Sequence, residues 1–375
     1  MPRVTVIVPI FNGLSFLPSF FESLRSALPE QSQLILVDDA STEPVLDAVP
    51  EMAGTQAIVR LRNDRNLGYS VAVNRGFRAA TGEIIVQLNT DLLLQPDSIS
   101  AMIDLIEREA RVGIVGSKLV FPTTGLVQHV GMAFGTHSKP HIYYELPSTH
   151  PLCEKTREVQ ITTGATVAMA RRVLEQLGPL DEGYFNHNED IDHCLRARQH
   201  NLRNFVCAES VAHHWVSHSG PARFAQVEAS EAAFWSRWGS CYDVDLGRFV
   251  DEALDHILQD APHLETIPFQ VLNLSRGADE PIILERLGRR WPDVGKRVRQ
   301  FRQMNNSSDR LWLPLLLPHW IVSEPTPFIY LVDSYRELEE NQLWFANRRR
   351  VVDDELIVDL SAAVLHTSEV CWRHD

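Results

Sequence analysis

Between residues 4 and about 120, short aliphatic and β-branched runs alternate with longer amphipathic stretches, and no other feature restricts the possible folds as strongly. Residues 4–10, 34–38, 57–61, 84–88 and 114–119 are short, apolar and flanked by turn residues, the pattern of strands buried on both faces. Residues 14–27, 44–52, 69–80 and 96–108 carry helical spacing, with Gly82 a stop for the third and Asp97, after Pro96, a start for the fourth. Strands that alternate with helices pair in parallel, with helices covering both faces of the sheet. Ligands of such sheets bind beyond the carboxyl ends of the strands. Functional side chains are therefore to be sought at those ends.

The pattern changes after residue 120. Residues 125–134 and 161–170 read as antiparallel or mixed strands. The His- and Pro-rich connection between them (His137, Pro140, His141, Pro147, His150, Pro151) is long enough to predict a mobile loop near a site. Residues 171–177, 191–200 and 224–238 read as helices. Beyond about 245, helical patterns at 246–258 and 336–350 and strand patterns at 271–274, 328–332 and 356–360 suggest a smaller α/β appendage. A length of 375 residues, at roughly 150 per domain, fits the same division into 1–245 and 246–375.

The formal charge of −14 argues against a protein that coats nucleic acid through a global basic field. An acidic chain that holds a phosphorylated ligand needs backbone amides, a metal ion or local arginines. The five cysteines (Cys153, Cys194, Cys207, Cys241, Cys371) are odd in number and never spaced C-x-x-C, which speaks against a disulfide framework or a thiolate zinc site. The first residues, Met1 to Pro9, read as a strand rather than a signal peptide, and no stretch reaches the roughly 18 apolar residues of a spanning helix. A cytoplasmic location is the expectation.

At the strand ends the candidate chemistry appears. The first strand leads to Pro9-Ile10-Phe11-Asn12-Gly13, and the second to Asp38-Asp39-Ala40-Ser41. Carboxylates there can accept a base imide N–H or a ribose hydroxyl, and Asp39 or Ser41 equally suits the cap of a following helix. Asn66-Leu67-Gly68 precedes a helix, where Gly68 would let a phosphate approach the helix N-terminus, or would simply begin the helix. The fourth strand ends Asn89-Thr90-Asp91, and a strand-end Asp beside a polar oxygen suits a hard divalent cation that also takes diphosphate oxygens. Further on stand Thr163-Gly164, then Glu189-Asp190-Ile191-Asp192 at a helix start. Three acids there complement the helix dipole, and their mutual repulsion also makes one a candidate general base. His213, His214 and His218 follow; a histidine near Asp91 would complete a metal shell.

Taken in order, V-I-V-P-I-F-N-G (6–13), V-D-D-A-S-T (37–42), R-N-L-G-Y-S-V-A-V-N-R-G (65–76), L-N-T-D (88–91), T-G-A-T (163–166), L-D-E-G-Y-F (180–185), E-D-I-D-H-C-L-R (189–196) and H-H-W-V-S-H-S (213–219) resemble the inverting family 2 glycosyltransferases of GT-A fold. The subgroup is the one similar to bacterial rhamnosyltransferases and cell-wall glycan transferases. The resemblance covers about residues 3 to 240 and implies a Rossmann-like mixed sheet flanked by helices. Residues 1–120 would be the nucleotide-binding half and 121–245 the acceptor and catalytic half. It also implies a nucleoside-diphosphate sugar donor, UDP- or dTDP-linked, and a glycan or lipid-linked acceptor of bacterial surface polysaccharide synthesis.

Carried over residue by residue, it assigns Pro9, Phe11, Asn12, Asp38, Asp39, Asn66, Gly68, Asn89 and Gly164 to the nucleotide sugar, with Asp39 meeting the base. Asn89-Thr90-Asp91 stands in the family's D-x-D place with Asn for the first Asp. Asp91 would hold Mn²⁺ or Mg²⁺, with His214 as second ligand and His213 its rival. Asp190 would be the general base, with Glu189 and Asp192 shaping its charge and position.

Three other readings compete. A sugar nucleotidyltransferase would show a Gly-rich loop with Arg and Lys after the first strand, which Pro9 to Gly13 lacks. A dinucleotide dehydrogenase would show G-x-G-x-x-G there. A non-catalytic scaffold on a degenerate fold would not need Asp91, Glu189, Asp190 and the histidines together. In the appendage, Arg286, Arg289, Arg290, Lys296, Arg297, Arg299 and Arg302, followed by the apolar 311–317, suggest peripheral contact with an anionic membrane at the cytoplasmic face; a solvated basic helix followed by a core segment would look the same.

Overall fold

The computed structural model describes residues 2–52, 54–215, 226–239, 241–300, 317, 324–352 and 354–367. The chain divides into two compact units. The first comprises 1–132 and 145–242, the second 133–144 and 243–375.

The first unit is built on a ten-stranded mixed sheet. Its elements run β1 (Val4–Ile10), α1 (Leu17–Ala27), β2 (Gln33–Asp38), β3 (Ala57–Arg62), α2 (Tyr69–Ala79), β4 (Ile84–Leu88), β5 (Leu92–Leu94), α3 (Ser98–Arg108) and β6 (Val112–Val120). There follow β7 (Val127–His129), β8 (Arg157–Val159), β9 (Thr166–Ala170), α4 (Arg171–Leu177), α5 (Glu189–Gln199), β10 (Arg203–His214) and α6 (Val227–Trp238). The main order is β3-β2-β1-β4-β9-β6-β10-β5, with β7 on β6 and β8 on β10. β1, β2 and β4 are buried along their whole length, as the apolar runs require. β3, by contrast, is the exposed edge. The mixed α/β sheet implied by the resemblance is thus borne out, together with a second, smaller sheet, and the parallel pairing expected from the alternation holds among β1 to β4.

Register decides which loops meet. β1 and β2 run parallel with Ile10 opposite Asp38, so the loops after both strands emerge side by side. β9 runs antiparallel to β4 with Thr166 opposite Leu88, which carries Thr163 to Ala165 back beside Asn89. β5 runs antiparallel to β10 with Leu92 opposite His214, which delivers the end of β10 to Asp91.

Several expectations are corrected. Residues 44–52 form turns instead of a helix, because Pro44 and Pro50 bracket the stretch, and Pro50 can neither donate nor tolerate a helical residue before it. The 125–134 strand shrinks to β7. The short β5 and the twelve-residue β10 both exceed what local pattern suggested. The His- and Pro-rich connection, expected to be a mobile loop, is instead packed, and its residues up to 144 belong to the second unit. There the Tyr143 amide donates to Ala362 O at 2.7 Å, and the Tyr143 hydroxyl donates to Glu252 at 2.8 Å.

The second unit contains α7 (Leu246–Asp260), β11 (Gln270–Asn273), α8 (Glu280–Arg290), β12 (Val298–Gln300), β13 (Phe328–Val332), α9 (Gln342–Arg348), β14 (Leu356–Asp359) and β15 (Val364–Thr367). Its five strands are ordered β12-β11-β13-β14-β15, parallel except for β15. Helix 336–350 of the expectation is a 3₁₀ segment, Tyr335–Asn341, followed by α9. The core includes Leu272, Phe328, Tyr330, Trp344, Phe345 and Ile357. Within it, fully buried Arg348 donates Nε to Glu355 at 3.0 Å, while the Tyr330 hydroxyl donates to the other Glu355 oxygen at 2.9 Å. That pair is compensated on both oxygens, which a buried charge requires.

The basic cluster of the second unit is largely neutralised within it. Arg286 and Arg289 face Asp251, and Arg290 pairs with Asp255, both acids lying on α7. The apolar 311–316 and Arg302 lie outside the described residues. No helix among the described residues is long and apolar enough to cross a membrane.

A pH dependence follows from two buried acids of this unit. Glu337 is pushed up to about 7, chiefly by burial and then by the charge of Asp333, and Asp359 to about 6, chiefly by burial. Carboxyls whose folded pKa is raised favour folding when protonated. Their contribution is complete below the ordinary carboxylate range and lost as pH rises through about 6 to 7. Glu337→Gln is therefore expected to gain stability over wild type at pH above 7, by on the order of 1–3 kcal/mol, and to lose that gain near pH 4. Thermal unfolding of the two proteins across pH measures this.

Candidate active site

A cleft of about 410 Å³ opens at the carboxyl ends of the first unit's central strands. It is lined by the loops after β1 (Pro9 to Gly13), β2 (Asp39), β3 (Asn66, Gly68) and β4 (Asn89, Thr90, Asp91), by Thr163 to Ala165, and by Phe185, Glu189, Asp190 and His214. Twelve of the residues singled out from sequence are brought together here: Pro9, Phe11, Asn12, Asp39, Asn66, Gly68, Asn89, Asp91, Gly164, Glu189, Asp190 and His214.

Asp39 organises one side. Its carboxylate accepts the Asn63 side-chain amide at 2.6 Å, the Leu67 amide at 3.0 Å and the Gly68 amide at 2.9 Å. Those bonds fold the 63–68 loop around the acid. Its expected contact with a base must share a carboxylate already committed to the backbone. Asn12 adopts a left-handed φ of 56°, which Asn tolerates, and its side-chain oxygen accepts the Thr42 amide at 2.8 Å. The loops after β1 and β2 are thereby joined.

Gly68 begins α2 at φ 93° and ψ 166°, a region open to glycine alone. A Cβ there would lie 2.7 Å from both the ring and the carbonyl oxygen of Phe185. The Tyr69 amide donates to that same carbonyl at 2.9 Å. Gly68→Ala is expected to lower stability by about 1–3 kcal/mol from the backbone alone and to displace Phe185 from the cleft. Chemical denaturation with the Trp fluorescence signal reads the first effect.

Asp190 sits in the first turn of α5, and both its oxygens are oriented by backbone: Oδ2 accepts the Gly164 amide at 2.7 Å and Oδ1 the Ile191 amide at 2.8 Å. A carboxylate has about four acceptor positions, so each oxygen keeps capacity for a ligand proton. Tyr69, not singled out from sequence, links this side to the strand β4 side. Its hydroxyl lies 2.9 Å from Asn89 Oδ1 and 3.0 Å from Gly164 O, and accepts from Gln87 Nε2 at 2.8 Å. Burial first, then the charges of Glu189 and Asp190, hold that hydroxyl well above its usual pKa, so it acts as a donor. Tyr69 stands inside the 65–76 motif, but a tyrosine at a helix start carries no distinctive signal.

Asp91 and His214 face one another, with His214 Nε2 3.2 Å from Asp91 Oδ1. His214 Nδ1 lies 2.6 Å from Gln128 Oε1. A carboxylate oxygen beside an imidazole nitrogen suits Mn²⁺ and, less well, Mg²⁺, which prefers oxygen throughout. Among the described residues no three His, Cys, Asp or Glu side chains are grouped to hold a metal. His218 lies outside the described residues.

Three expected site residues do not line the cleft. Asp38 is fully buried; it pairs with Arg62 and accepts the Ser41 amide at 2.8 Å, so it fastens the strand-end loops instead of meeting a nucleotide. Asp192 is likewise buried, accepting Arg196 Nε at 2.8 Å and Trp238 Nε1 at 2.9 Å, which tie α5 to α6. His213 is the neighbour of His214 on β10, and successive strand residues point to opposite faces. His193, next to Asp192 on α5, has its pKa lowered to about 3 by burial and then by Arg196, and is neutral at physiological pH.

Residues 5–178 match the glycosyl transferase family 2 profile. The chain is 30% identical over 243 residues to the O-antigen biosynthesis protein RfbC of Myxococcus xanthus, which covers 62% of this chain and 18% of that protein. It is 29% identical over 119 residues to a dolichol-phosphate mannosyltransferase of Pyrococcus furiosus, covering 32% of this chain and 34% of the relative. The chain thus spans about a third or less of the length of these curated relatives. Among solved structures, GalNAc-T7 with UDP, GalNAc and Mn²⁺ is similar in fold, at 15% identity and a TM-score of 0.50, over 69% of this chain and 54% of that one.

Proposed function

We propose, for a chain whose residues 5–178 match the glycosyl transferase family 2 model, a metal-dependent transfer of a sugar from a nucleoside diphosphate to an acceptor hydroxyl, with inversion at the anomeric carbon. The observation that carries this reading is one cleft lined both by the facing pair Asp91 and His214 and by the backbone-oriented carboxylate of Asp190.

Pro9, Phe11, Asn12 and Asn66 would bind the nucleoside, with Asp39 shaping the 63–68 loop around it. Asn89, Gly164 and the α2 N-terminus at Gly68 lie where the sugar and diphosphate would pass. Asp91 and His214 Nε2 would hold Mn²⁺, or Mg²⁺ in its place, which when bound acts as a Lewis acid on the leaving diphosphate. Asp190 takes the proton of the acceptor hydroxyl on a carboxylate oxygen as that hydroxyl attacks. Glu189 adds negative charge beside it. A single displacement needs no covalent nucleophile from the protein.

The donor would be UDP- or dTDP-linked. The acceptor would be a glycan or a lipid-linked sugar of a bacterial surface polysaccharide, a reading supported by the likeness to an O-antigen biosynthesis protein and by the resemblance to rhamnosyltransferases. Residues 1–120 would serve the nucleotide and 121–245 the acceptor and the chemistry. Thermal-shift screening against UDP-, dTDP- and GDP-sugars with Mn²⁺ tests the donor class: stabilisation by one nucleotide series only when Mn²⁺ is present supports the reading, and no stabilisation by any of them contradicts it.

A further inference from the structure

We infer that Gln128 is a positioning residue that selects the tautomer of His214; the inference rests on the reading of Asp91 and His214 as the cation's ligands. Gln128 lies on β7 and His214 at the end of β10, and the strand between them, β6, pairs with both. Both residues are buried, at 7% and 9% exposure.

The amide of Gln128 holds His214 at two points. Nε2 donates to the His214 backbone carbonyl at 3.4 Å, and Oε1 lies 2.6 Å from Nδ1. A carbonyl oxygen only accepts, so the amide nitrogen must face it, and this turns Oε1 toward the ring. Oε1 is also only an acceptor. Nδ1 must therefore carry the proton, and in the neutral ring Nε2 is left with its lone pair toward Asp91 Oδ1, 3.2 Å away.

Two lone pairs so opposed repel unless a cation lies between them. The tautomer chosen by Gln128 thus prepares His214 as a ligand. The other tautomer would turn an N–H toward Asp91 and close the pair on itself. Residues that hydrogen-bond the far ring nitrogen of a metal-ligating histidine act in this way, and their loss typically costs about 10- to 100-fold in metal affinity.

The test reads the tautomer and the metal separately. In the metal-free protein at mildly alkaline pH, ¹⁵N–¹H correlation spectra of the histidine rings are expected to show His214 as the Nδ1–H form in wild type, and as the Nε2–H form in Gln128→Leu. Gln128→Glu keeps an acceptor for Nδ1 and should keep the wild-type form. Mn²⁺ titration followed by the paramagnetic resonance of the free ion should show affinity about 10- to 100-fold weaker in Gln128→Leu and within about threefold of wild type in Gln128→Glu. An Nε2–H form in wild type, or a Gln128→Leu protein with unchanged tautomer and unchanged Mn²⁺ affinity, overturns the inference. A tautomer that switches as described in a protein that binds no Mn²⁺ upholds the role of Gln128 and contradicts the metal reading instead.

Discussion

Asp190→Asn is expected to lower sugar transfer by on the order of 10²-fold or more, since a positioned general base typically contributes 10²–10⁴. The substitution removes the charge that receives the acceptor's proton. It also leaves one of two backbone donors, Gly164 N or Ile191 N, facing an amide that has a single oxygen. The residues proposed to hold the nucleoside come from the loops after β1 and β3, whereas Asp190 lies on α5. Affinity for UDP with Mn²⁺, measured by calorimetry, should therefore stay within a few-fold of wild type while turnover falls. Near-normal transfer removes Asp190 from the role of base. Lost nucleotide binding together with lost transfer would make it a structural residue.

The second large effect belongs to Asp91. Asp91→Ala leaves His214 as the sole side-chain ligand of the proposed cation, and charge stabilisation by such a metal is worth several kcal/mol. Transfer and Mn²⁺-dependent nucleotide affinity should both fall, the former by roughly 10²-fold or more on the same grounds. The two variants then separate cleanly: Asp190→Asn retains metal-dependent binding, and Asp91→Ala does not. Calorimetry showing unchanged UDP affinity with Mn²⁺ in Asp91→Ala contradicts its assignment.

Much of this cleft could be anticipated because its residues lie at strand ends, and strand ends are where periodicity breaks off. Asn12, Asp39, Asn89 and Asp91 each follow an apolar run that reads as a strand without any structure. Pattern was weaker on which side of an element a residue faces. Asp38 and Asp39 are adjacent, and only the bonds from Arg62 and Ser41 consign the first to the interior. His213 and His214 are distinguished by the register of β10 on β5, a pairing across more than a hundred residues that no local pattern encodes. Asp192 shares the first turn of α5 with Asp190 but meets Arg196 and Trp238 instead of the cleft.

Gln128 was out of reach for the same reason, since its partner lies 86 residues away and a glutamine in a short strand has no signature of its own. The turns at 44–52 show the converse error. Apolar spacing suggested a helix there, and the proline at each end of 44–50 overrode it. Packing of the 133–144 segment into the second unit had no local signal either, because His137, Pro140 and His141 read as part of a mobile loop.

The reaction proposed for this cleft breaks the bond between a sugar and a nucleoside diphosphate. It is tested most directly by incubating the full chain and Mn²⁺ with UDP-, dTDP- and GDP-linked sugars and measuring the free nucleoside diphosphate released. Release from one nucleotide series, dependent on Mn²⁺ and slowed by about 10²-fold in Asp190→Asn, is the expected result. Release from none of the three, or release at equal rates by wild type and Asp190→Asn, would contradict it.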